Sequence, residues 1–528
     1  MNNDPANVAS ALRSLVVYIA CAVVAIVIGV LMSNPLTYSA LGFMGFLVAI
    51  FLIPILIKWH RQLMLLSWSA PIMMFFIKGD PNLFLVMITL SLTATIVERA
   101  MGQKRFFNVP QITWPLLCLI GVVAITAKLT GGLGLRAFGS EVYGGKKYIF
   151  LIVAIMGFFA IASTPIPPQK ARRYVIFYFS GMLLCTVQDF YTIAPHFLLP
   201  VFWLIPPNAY TVGDFQFGVT RLAGTAAAAA GLLNILVARY SLRGIFMSGK
   251  LWRPVVFCIS FIVIFLGGFR SAIIGVTTTL LILFFLEGLH RTRLLPFLVI
   301  FALAVGGAII PLGSKLPFTF QRVLSVLPDS VVQLNPEARA NAEDSWEWRV
   351  RMWKAVEPQV PKHLLLGKGY AISQEDFNTE MGMNAAVNST DPAQQALALS
   401  SDYHNGPLSI ILPLGIWGMI AFVWFLAGSL WVMYRNYRYC DPGLKSINAF
   451  LFATYLMTVI SFYGGSLATN MCLFSGLMGL TVAINRGVCR KPADETSNIP
   501  YSMPFRRRIV RTVSSNQLPL PNRFKTNG

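Results

Sequence analysis

A histidine followed by an asparagine, His404 and Asn405, stands at the start of a long apolar run in the C-terminal part of the sequence. A neutral imidazole can take a proton from a hydroxyl group near pH 7, so such a histidine is a candidate general base. A histidine in this position is also compatible with a simple polar helix end, and Asp402 is a candidate N-cap for the same helix. The charges elsewhere in the chain must decide between the two interpretations.

Four arginines, Arg221, Arg270, Arg349 and Arg351, could supply the complementary chemistry. Arg270 lies in FLGGFRSAIIGV, with no acidic residue within ten positions. A guanidinium keeps its charge and binds phosphate oxygens in a bidentate manner, so an uncompensated cluster suits a diphosphate group, as in a polyprenyl-diphosphate-linked substrate. For Arg221, a role as an anchor at a helix end stays open. Since Arg349 and Arg351 are two positions apart on a predicted helix, at most one can face a given site.

The elements that must position these residues are membrane helices. The chain is 56% hydrophobic and only 12% charged, and apolar runs of about 17 to 25 residues, each long enough to span a bilayer, recur from Leu15 to Ile484. We therefore predict an all-α polytopic membrane protein with about 12 to 14 transmembrane helices. The seven cysteines show no disulfide framework or metal-ligand spacing, so no metal and no cofactor are expected.

The net charge of +21 could indicate nucleic acid binding, but the distribution of the basic residues argues against it. They fall in every second loop between the spans, which is the positive-inside pattern and places both termini in the cytoplasm. The arginines and lysines of the C-terminal tail lie on the same side. We therefore expect membrane lipids, and no nucleic acid, among the partners. The basic clusters lie at 58–61, 99–105, 170–173, 239–253, 291–293 and 435–445.

One long segment on the outer side differs from the rest, because it holds more than half of the acidic residues. Within it, SWEWRVRMWKAVEPQV predicts an amphipathic helix on the outer interface, with Trp346, Val350, Trp353 and Val356 or Val360 on its apolar face. A segment of this size is more often functional than merely connecting. The predicted regions are N-terminal helices (1–217), core helices with outward arginines (218–312), the large, partly helical loop (313–405), C-terminal helices (406–485) and a basic cytoplasmic tail (486–528).

The chain resembles the O-antigen ligase and O-antigen polymerase superfamily of bacterial envelope enzymes from about residue 218 to 434. His404 and Asn405, followed after nine residues by Gly415 and then by Gly418, resemble the HN(x9)GxxG signature of that family. Pro413 and the two glycines can bend the first turns of this helix and let another element pack closely behind His404. Further matching segments follow family order: TRLAGT (220–225), FRSAIIG (269–275, with Phe269 in place of the family's serine), RVRMW (349–353) and LLLGKGY (364–370).

The resemblance implies a metal-independent, inverting glycosyl transfer at the periplasmic face of the bacterial inner membrane, with an undecaprenyl-diphosphate-linked glycan as donor. Carried over to this sequence, Arg270 and Arg349 would bind the diphosphate, and His404 would position or deprotonate the acceptor hydroxyl. Arg221 would support them, with Arg351 and Asn405 as further substrate-binding candidates. Arg349 is preferred to Arg351 because its spacing to an apolar residue follows the family pattern. The acceptor, a hydroxyl of a glycan, of lipid A core or of a protein, stays open.

Two other classes of function are compatible with a polytopic membrane protein. A lipid-linked oligosaccharide flippase or polysaccharide exporter should carry ionisable groups near mid-membrane and inverted repeats between its halves. Neither feature is evident in the sequence, where the unusual charges gather at the outer ends of spans and in the large loop. A structural subunit whose loop binds partners would leave Arg270 unexplained. The sequence therefore favours an enzyme.

Overall fold

The computed structural model of the protein describes a few positions between 14 and 29 and residues 54–102, 109–131, 144–208, 221–372 and 402–491. Apart from one isolated bridge between Met73 and Asn82, the regular structure in these ranges is helical. The predicted all-α class is thus confirmed. The longer helices are α1 (54–68), α2 (Leu83–Ala100), α3 (Pro110–Leu129), α4 (Gly145–Ala162), α5 (Ala171–Ser180), α6 (Ala223–Phe246), α7 (Trp252–Ile264), α8 (Arg270–Leu286), α9 (Leu294–Leu312), α10 (Phe318–Leu324), α11 (Pro336–Val356), α12 (Leu408–Tyr439), α13 (Lys445–Phe462) and α14 (Leu467–Asn485).

Eight of the described helices are long and apolar enough to cross a membrane, which makes this a multi-pass membrane protein. They are α2, α3, α4, α6, α9, α12, α13 and α14, while α7 and α8 are apolar but shorter. The total of 12 to 14 stays a prediction, since most of residues 1–53 lie outside the described ranges. The predicted basic tail, 486–528, also lies almost entirely outside them.

The most buried span, α14, lies in the interior of the bundle and packs closely against α4. A glycine of α14 makes this approach possible, because a Cβ on Gly479 would lie 2.9 Å from the Cβ of Ile161 in α4. A second glycine, Gly476, allows a close approach to α5, because a Cβ there would lie 2.6 Å from the ring of Tyr178. In a bilayer no hydrophobic driving force brings apolar helices together. Small residues stabilise the contact instead, because they let the helix backbones approach closely enough for van der Waals packing.

Several helix ends meet at one end of the bundle, and this end carries the candidate site. The end of α3 and the start of α4 are joined by a hydrogen bond of 3.1 Å between the hydroxyl groups of Thr130 and Tyr148. The start of α12 is joined to the start of α14, because the hydroxyl of Ser409 accepts a hydrogen bond of 3.2 Å from the backbone N–H of Leu467. Residues far apart in the sequence are thereby held within one small region.

The amphipathic helix expected in the large segment is present as α11. Asn335 caps it by accepting the N–H of Glu337 at 2.9 Å, and Pro336 occupies the first turn, where no N–H is needed. The helix packs against the segment just before and within the start of α12, where Tyr403 and Leu412 form a small buried cluster with it.

The predicted apolar face of α11 is partly wrong. Trp348, Met352 and Val356 are buried against the 402–412 segment, whereas Trp346 is 52% exposed. Trp353 is partly buried, and its indole N–H donates to the carbonyl of Tyr403 at 2.7 Å. The helix has apolar residues on more than one side, so sequence periodicity allowed two rotations, and packing against 402–412 selects one.

Candidate active site

The start of α12 is built around the His404–Asn405 pair. The side-chain oxygen of Asn405 accepts the N–H of Leu408 at 3.2 Å, and its carbonyl accepts the N–H of Ser409 at 2.9 Å. This is an N-cap arrangement, so the cap expected at Asp402 is in fact Asn405. Asp402 instead accepts the backbone N–H of His404 at 3.3 Å. Asn405 therefore orients the helix, and its contact with substrate stays a prediction.

His404 has an unusual backbone conformation, with φ of 45°. This left-handed region is uncommon for residues other than glycine, and such strain is found preferentially at functional sites. The hydrogen bond from its N–H to Asp402 stabilises the turn. The chain therefore reverses just before α12, which sets the imidazole beside the helix start.

The first turns of α12 are interrupted at Gly415, whose φ of 69° and ψ of −167° are not helical. The interruption frees backbone groups, and the segment 364–369 satisfies them in the manner of a short added strand. Three hydrogen bonds join the two segments: Lys368 N–H to Leu412 carbonyl (2.9 Å), Gly369 N–H to Pro413 carbonyl (3.0 Å) and Ile416 N–H to Leu364 carbonyl (2.7 Å).

Glycine is required on both sides of this junction. A Cβ on Gly367 would collide with the carbonyl of Pro413, and a Cβ on Gly415 would lie 2.7 Å from the carbonyl oxygen of Leu365. The prediction that another element packs closely behind His404 is thus confirmed, and that element is LLLGKGY. Gly418 contributes differently, because a Cβ there would meet the side chain of Leu414 in the same helix.

The ring of His404 lies in a half-buried position among groups from two other parts of the chain. The ring of Trp348 from α11 lies 6.4 Å away, edge to face, and the backbone carbonyl of Gly464, between α13 and α14, accepts a hydrogen bond from the imidazole. This bond orients the ring and leaves the lone pair of the second nitrogen for another proton donor. Burial lowers the pKa of His404, and Arg349 acts in the same direction, while Asp402 and Gly464 oppose them.

Arg270 is the first residue of α8 and points towards α11. Its guanidinium donates to the backbone carbonyl of Ala342 at 2.7 Å. It also interacts electrostatically with Arg349, which repels it, and with Glu343, which attracts it. No acidic residue lies near Arg270 in the sequence, but the fold supplies one, because α11 places the carboxylate of Glu343 close to Arg270.

Arg349 and Arg351 point in different directions. Arg351 interacts with two carboxylates of its own helix, Asp344 at 3.5 Å and Glu347 at 3.9 Å. Arg349 lies close enough to both Arg270 and His404 to affect their charged forms, and within the described ranges no carboxylate forms an ion pair with it. This geometry favours Arg349 over Arg351 as the residue that faces the site.

Arg221 is buried and supports the turn that precedes Arg270. Its Nε donates to the carbonyl of Gly267 at 3.3 Å, and its guanidinium lies 4.4 Å from the centroid of the Phe269 ring. Phe269, which replaces the family's serine, therefore forms a cation–π contact that holds the turn. The geometry suits the supporting role expected of Arg221.

A buried carboxylate that the sequence analysis did not identify anchors the helix that follows Arg221. Both oxygens of Asp189 accept backbone N–H groups at the start of α6, from Gly224 at 3.0 Å and Thr225 at 2.6 Å. A negative charge at a helix N-terminus is favoured by the helix dipole. Asp189 therefore fixes α6 relative to the segment before it.

Two further charged residues at the site were also missed. Asp402 was considered only as a cap, yet it affects the charge of His404. Lys147, in the first turn of α4, interacts electrostatically with Asp402, and its ammonium lies 5.8 Å from the centroid of the Tyr370 ring. The available signal was a pair of lysines at a span end that the predicted topology assigns to the outer side, where the positive-inside rule expects few.

A cavity of about 460 Å³ lies beside the start of α8 and is lined by α6, α8 and α13. Along α8 its wall extends from Ser271, next to Arg270, to Leu283. At a rise of 1.5 Å per residue this corresponds to about 18 Å of helix. Alanines and a glycine widen it on the sides of α6 and α8, and most of the lining is apolar.

No group of three or more histidine, cysteine, aspartate or glutamate side chains is placed to hold a metal ion in the ranges that the structure describes. The charged side chains that act on His404 are instead Arg349 and Asp402. Metal independence stays a prediction.

Residues 255–423 match the sequence model of a family described as O-antigen ligase. The match begins in α7 and ends within α12, so it includes Arg270, α11 and His404, but not Arg221. A search of curated proteins gave no match. The resemblance found in the sequence is thereby confirmed over residues 255–423, which match the O-antigen ligase family.

Proposed function

We propose that this protein transfers a glycan from undecaprenyl diphosphate to an acceptor hydroxyl at the periplasmic face of the inner membrane, as a metal-independent, inverting glycosyltransferase. The O-antigen ligase domain carries the general class of function. The observation that carries the proposal is the meeting of Arg270, Arg349 and His404, which come from three separate elements, at one end of the bundle.

The proposed reaction assigns one task to each group. The acceptor oxygen attacks the anomeric carbon from the face opposite the diphosphate, and the acceptor proton passes to the unprotonated nitrogen of His404. The bond between the anomeric carbon and the diphosphate oxygen breaks, and the electron pair leaves with the diphosphate. Arg270 and Arg349 stabilise the charge that develops on the leaving group.

The cavity beside α8 supports a lipid-linked donor. It begins next to Arg270 and continues along an apolar helix. A diphosphate held at Arg270 would therefore leave its polyprenyl chain beside a space of matching chemistry, within the helix bundle. A soluble sugar nucleotide has no apolar chain that would bind in such a cavity.

Transfer by the purified full chain in detergent, with a synthetic polyprenyl-diphosphate-linked glycan, tests this proposal. Three acceptors offered in parallel, a glycan, lipid A core and a protein substrate, would assign the acceptor class by mass spectrometry of the product. His404→Ala is expected to lower the transfer rate by about 10²- to 10⁴-fold, the usual range for loss of a general base. Arg349→Ala should abolish transfer, and Arg351→Ala is the matched control that should retain it.

The same experiment distinguishes an enzyme from a flippase or exporter. Detergent micelles have no separate compartments, so a new glycosidic bond cannot result from transport. Lipid translocation in vesicles without glycoside formation from any of the three acceptors would refute the proposal and favour the transport alternative.

A further inference from the structure

We propose that the exposed ring of Trp346 in α11 is a glycan platform, a surface that binds the sugar attached to the donor diphosphate. This inference rests on the proposed function and deepens it, because it assigns the group that recognises the glycan rather than the diphosphate or the lipid. Trp346 is exposed, lies beside the arginines of the site and is in contact with a second tryptophan that fixes its orientation.

Trp346 is the one large apolar side chain that α11 leaves exposed, and 52% of its surface is accessible. The structure describes all of α11, and the other exposed residues of this helix are charged, polar or small. A single exposed tryptophan needs no explanation by itself. The position of Trp346 relative to Arg270 and Arg349 gives its exposure a meaning.

Along α11, Trp346 lies between the points where the two arginines meet this helix. Residues three and four positions apart on a helix are neighbours on its surface. Ala342, whose carbonyl accepts the Arg270 guanidinium at 2.7 Å, precedes Trp346 by four positions, and Arg349 follows it by three. A sugar attached to a diphosphate that Arg270 and Arg349 hold would therefore lie beside the Trp346 ring.

A second tryptophan holds this ring and connects it to the turn that carries His404. The rings of Trp346 and Trp353 meet edge to face, with centroids 5.6 Å apart and an interplanar angle of 89°. The indole N–H of Trp353 donates to the carbonyl of Tyr403, the residue before His404, at 2.7 Å. A ring that is already held in one orientation loses little conformational entropy when a ligand binds to it.

The chemistry around Trp346 suits a sugar. The face of an indole ring carries partial negative charge, so it attracts the C–H groups on one face of a pyranose ring. Glu343, three positions before Trp346, and Glu347, directly after it, can accept hydrogen bonds from the hydroxyl groups at the edge of that sugar. A polyprenyl chain has no hydroxyl groups to donate to these carboxylates.

A bilayer surface does not suit this side of α11. A helix that lies in the membrane interface presents a broad apolar face to the lipid. The exposed residues near Trp346 are instead Glu343, Asp344, Glu347 and Arg351. Insertion of Trp346 into lipid would bring these charges to the apolar side of the interface, whereas a sugar can contact both the ring and the charged groups.

Binding measured without acceptor tests the glycan platform. The purified full chain in detergent is titrated calorimetrically with two probes, a synthetic polyprenyl diphosphate and the same lipid carrying the glycan. The ratio of the two dissociation constants isolates the contribution of the glycan. Trp346→Ala should reduce that contribution roughly 3- to 10-fold, the loss expected for one aromatic contact, and should leave the affinity for the bare lipid unchanged.

Three control variants separate stacking on the ring from general effects. Trp346→Phe keeps an aromatic face and should retain most of the glycan contribution, whereas Trp346→Leu is apolar without a ring and should lose it. Trp114→Ala removes another exposed tryptophan, 62% accessible, from α3. Trp114 lies about 24 Å along the helix from Thr130, at the end that carries the site, so both affinities should stay unchanged.

Three results would overturn the glycan platform. The first is a wild-type protein that binds the two lipids equally well, and the second is a glycan contribution that Trp346→Ala leaves unchanged. The third is an equal weakening of both lipids by Trp346→Ala, or full retention by Trp346→Leu, because either would assign the ring to contact with lipid.

The ratio of dissociation constants does not depend on glycan transfer, so the two proposals can fail separately. Absence of transfer by a wild-type protein that still prefers the glycan-bearing lipid would refute the proposed function and leave the glycan platform standing. Where transfer is present, Trp346→Ala should raise the KM for the donor and change kcat little, because the contact is made both in the bound substrate and in the transition state. Normal transfer with an unchanged KM would overturn the glycan platform alone.

Discussion

Substitution of Gly415 by alanine should disrupt the junction behind His404. The backbone of Gly415, with φ of 69° and ψ of −167°, lies in a region that is essentially restricted to glycine. A Cβ there would also lie 2.7 Å from the Leu365 carbonyl oxygen and 2.9 Å from the Gly367 nitrogen. These are backbone atoms of the inserted segment, so relief requires that the segment move.

Two contributions determine how far Gly415→Ala should lower the free energy of unfolding. Holding a residue other than glycine in this conformation costs on the order of 1–3 kcal/mol. Displacement of the segment weakens the three hydrogen bonds that join it to α12, each worth about 1 kcal/mol. We expect Gly415→Ala to lower the free energy of unfolding by about 2–4 kcal/mol, the strain plus part of the hydrogen-bond loss.

Thermal unfolding of the purified protein in detergent, together with the transfer assay, measures both consequences. The unfolding midpoint should fall, and the transfer rate should fall further than the loss of folded protein explains, because His404 lies just before the same helix. Gly443→Ala is the matched control, since a Cβ at Gly443 meets no atom within 4 Å. A Gly415→Ala protein with wild-type midpoint and transfer rate would refute the reasoning.

Three further predictions concern the supports and charge state of the site. Asp189→Asn keeps the shape of the side chain but removes the charge that binds two backbone N–H groups at the start of α6; it should lower stability by about 1–3 kcal/mol, measured by thermal unfolding. Phe269→Ser restores the family's serine but removes the ring 4.4 Å from the Arg221 guanidinium, so it should cost about 1–2 kcal/mol in the same measurement. The transfer rate should be constant above pH 7 and decrease only below about pH 6.5, because burial lowers the pKa of His404 and an imidazolium cannot accept a proton.

Each of these predictions has a clear contrary outcome. An Asp189→Asn protein as stable as wild type would show that the charge does not anchor α6. A thermal unfolding midpoint of Phe269→Ser equal to that of the wild-type protein would mean that the contact between Arg221 and the Phe269 ring does not stabilise the fold. A transfer rate that declines with a midpoint above pH 7 would assign the titration to a group other than a buried, neutral His404.

Much of the architecture could be predicted from composition and local pattern. Long apolar runs determine membrane helices because the bilayer leaves no other way to satisfy the backbone. The presence of α11 followed from the periodicity of SWEWRVRMWKAVEPQV, whereas its start at Pro336, capped by Asn335, was not predicted. The rotation of α11 did not, since apolar residues occur on several of its sides and the buried set is chosen by contact with Tyr403 and Leu412.

The residues of the candidate site could likewise be predicted only in part from the sequence. His404, Arg270 and Arg349 could be selected by residue type, by their position at span ends and by their order in the chain. The charged groups that other helices bring could not, because Glu343 and Lys147 reach the site only when α4, α8, α11 and α12 are packed together. Electrostatic interactions depend on distance in space, which sequence separation does not predict for residues on different helices.

The sequence by itself determined that this is a helical, multi-pass membrane protein with a segment similar to the O-antigen ligase family, because hydropathy, charge distribution and motif order are local properties. The tertiary structure alone decided which residue caps α12 and how LLLGKGY fills the interruption at Gly415. These features depend on contacts between segments that are distant in the chain, and only packing brings such segments within hydrogen-bonding and Coulomb range.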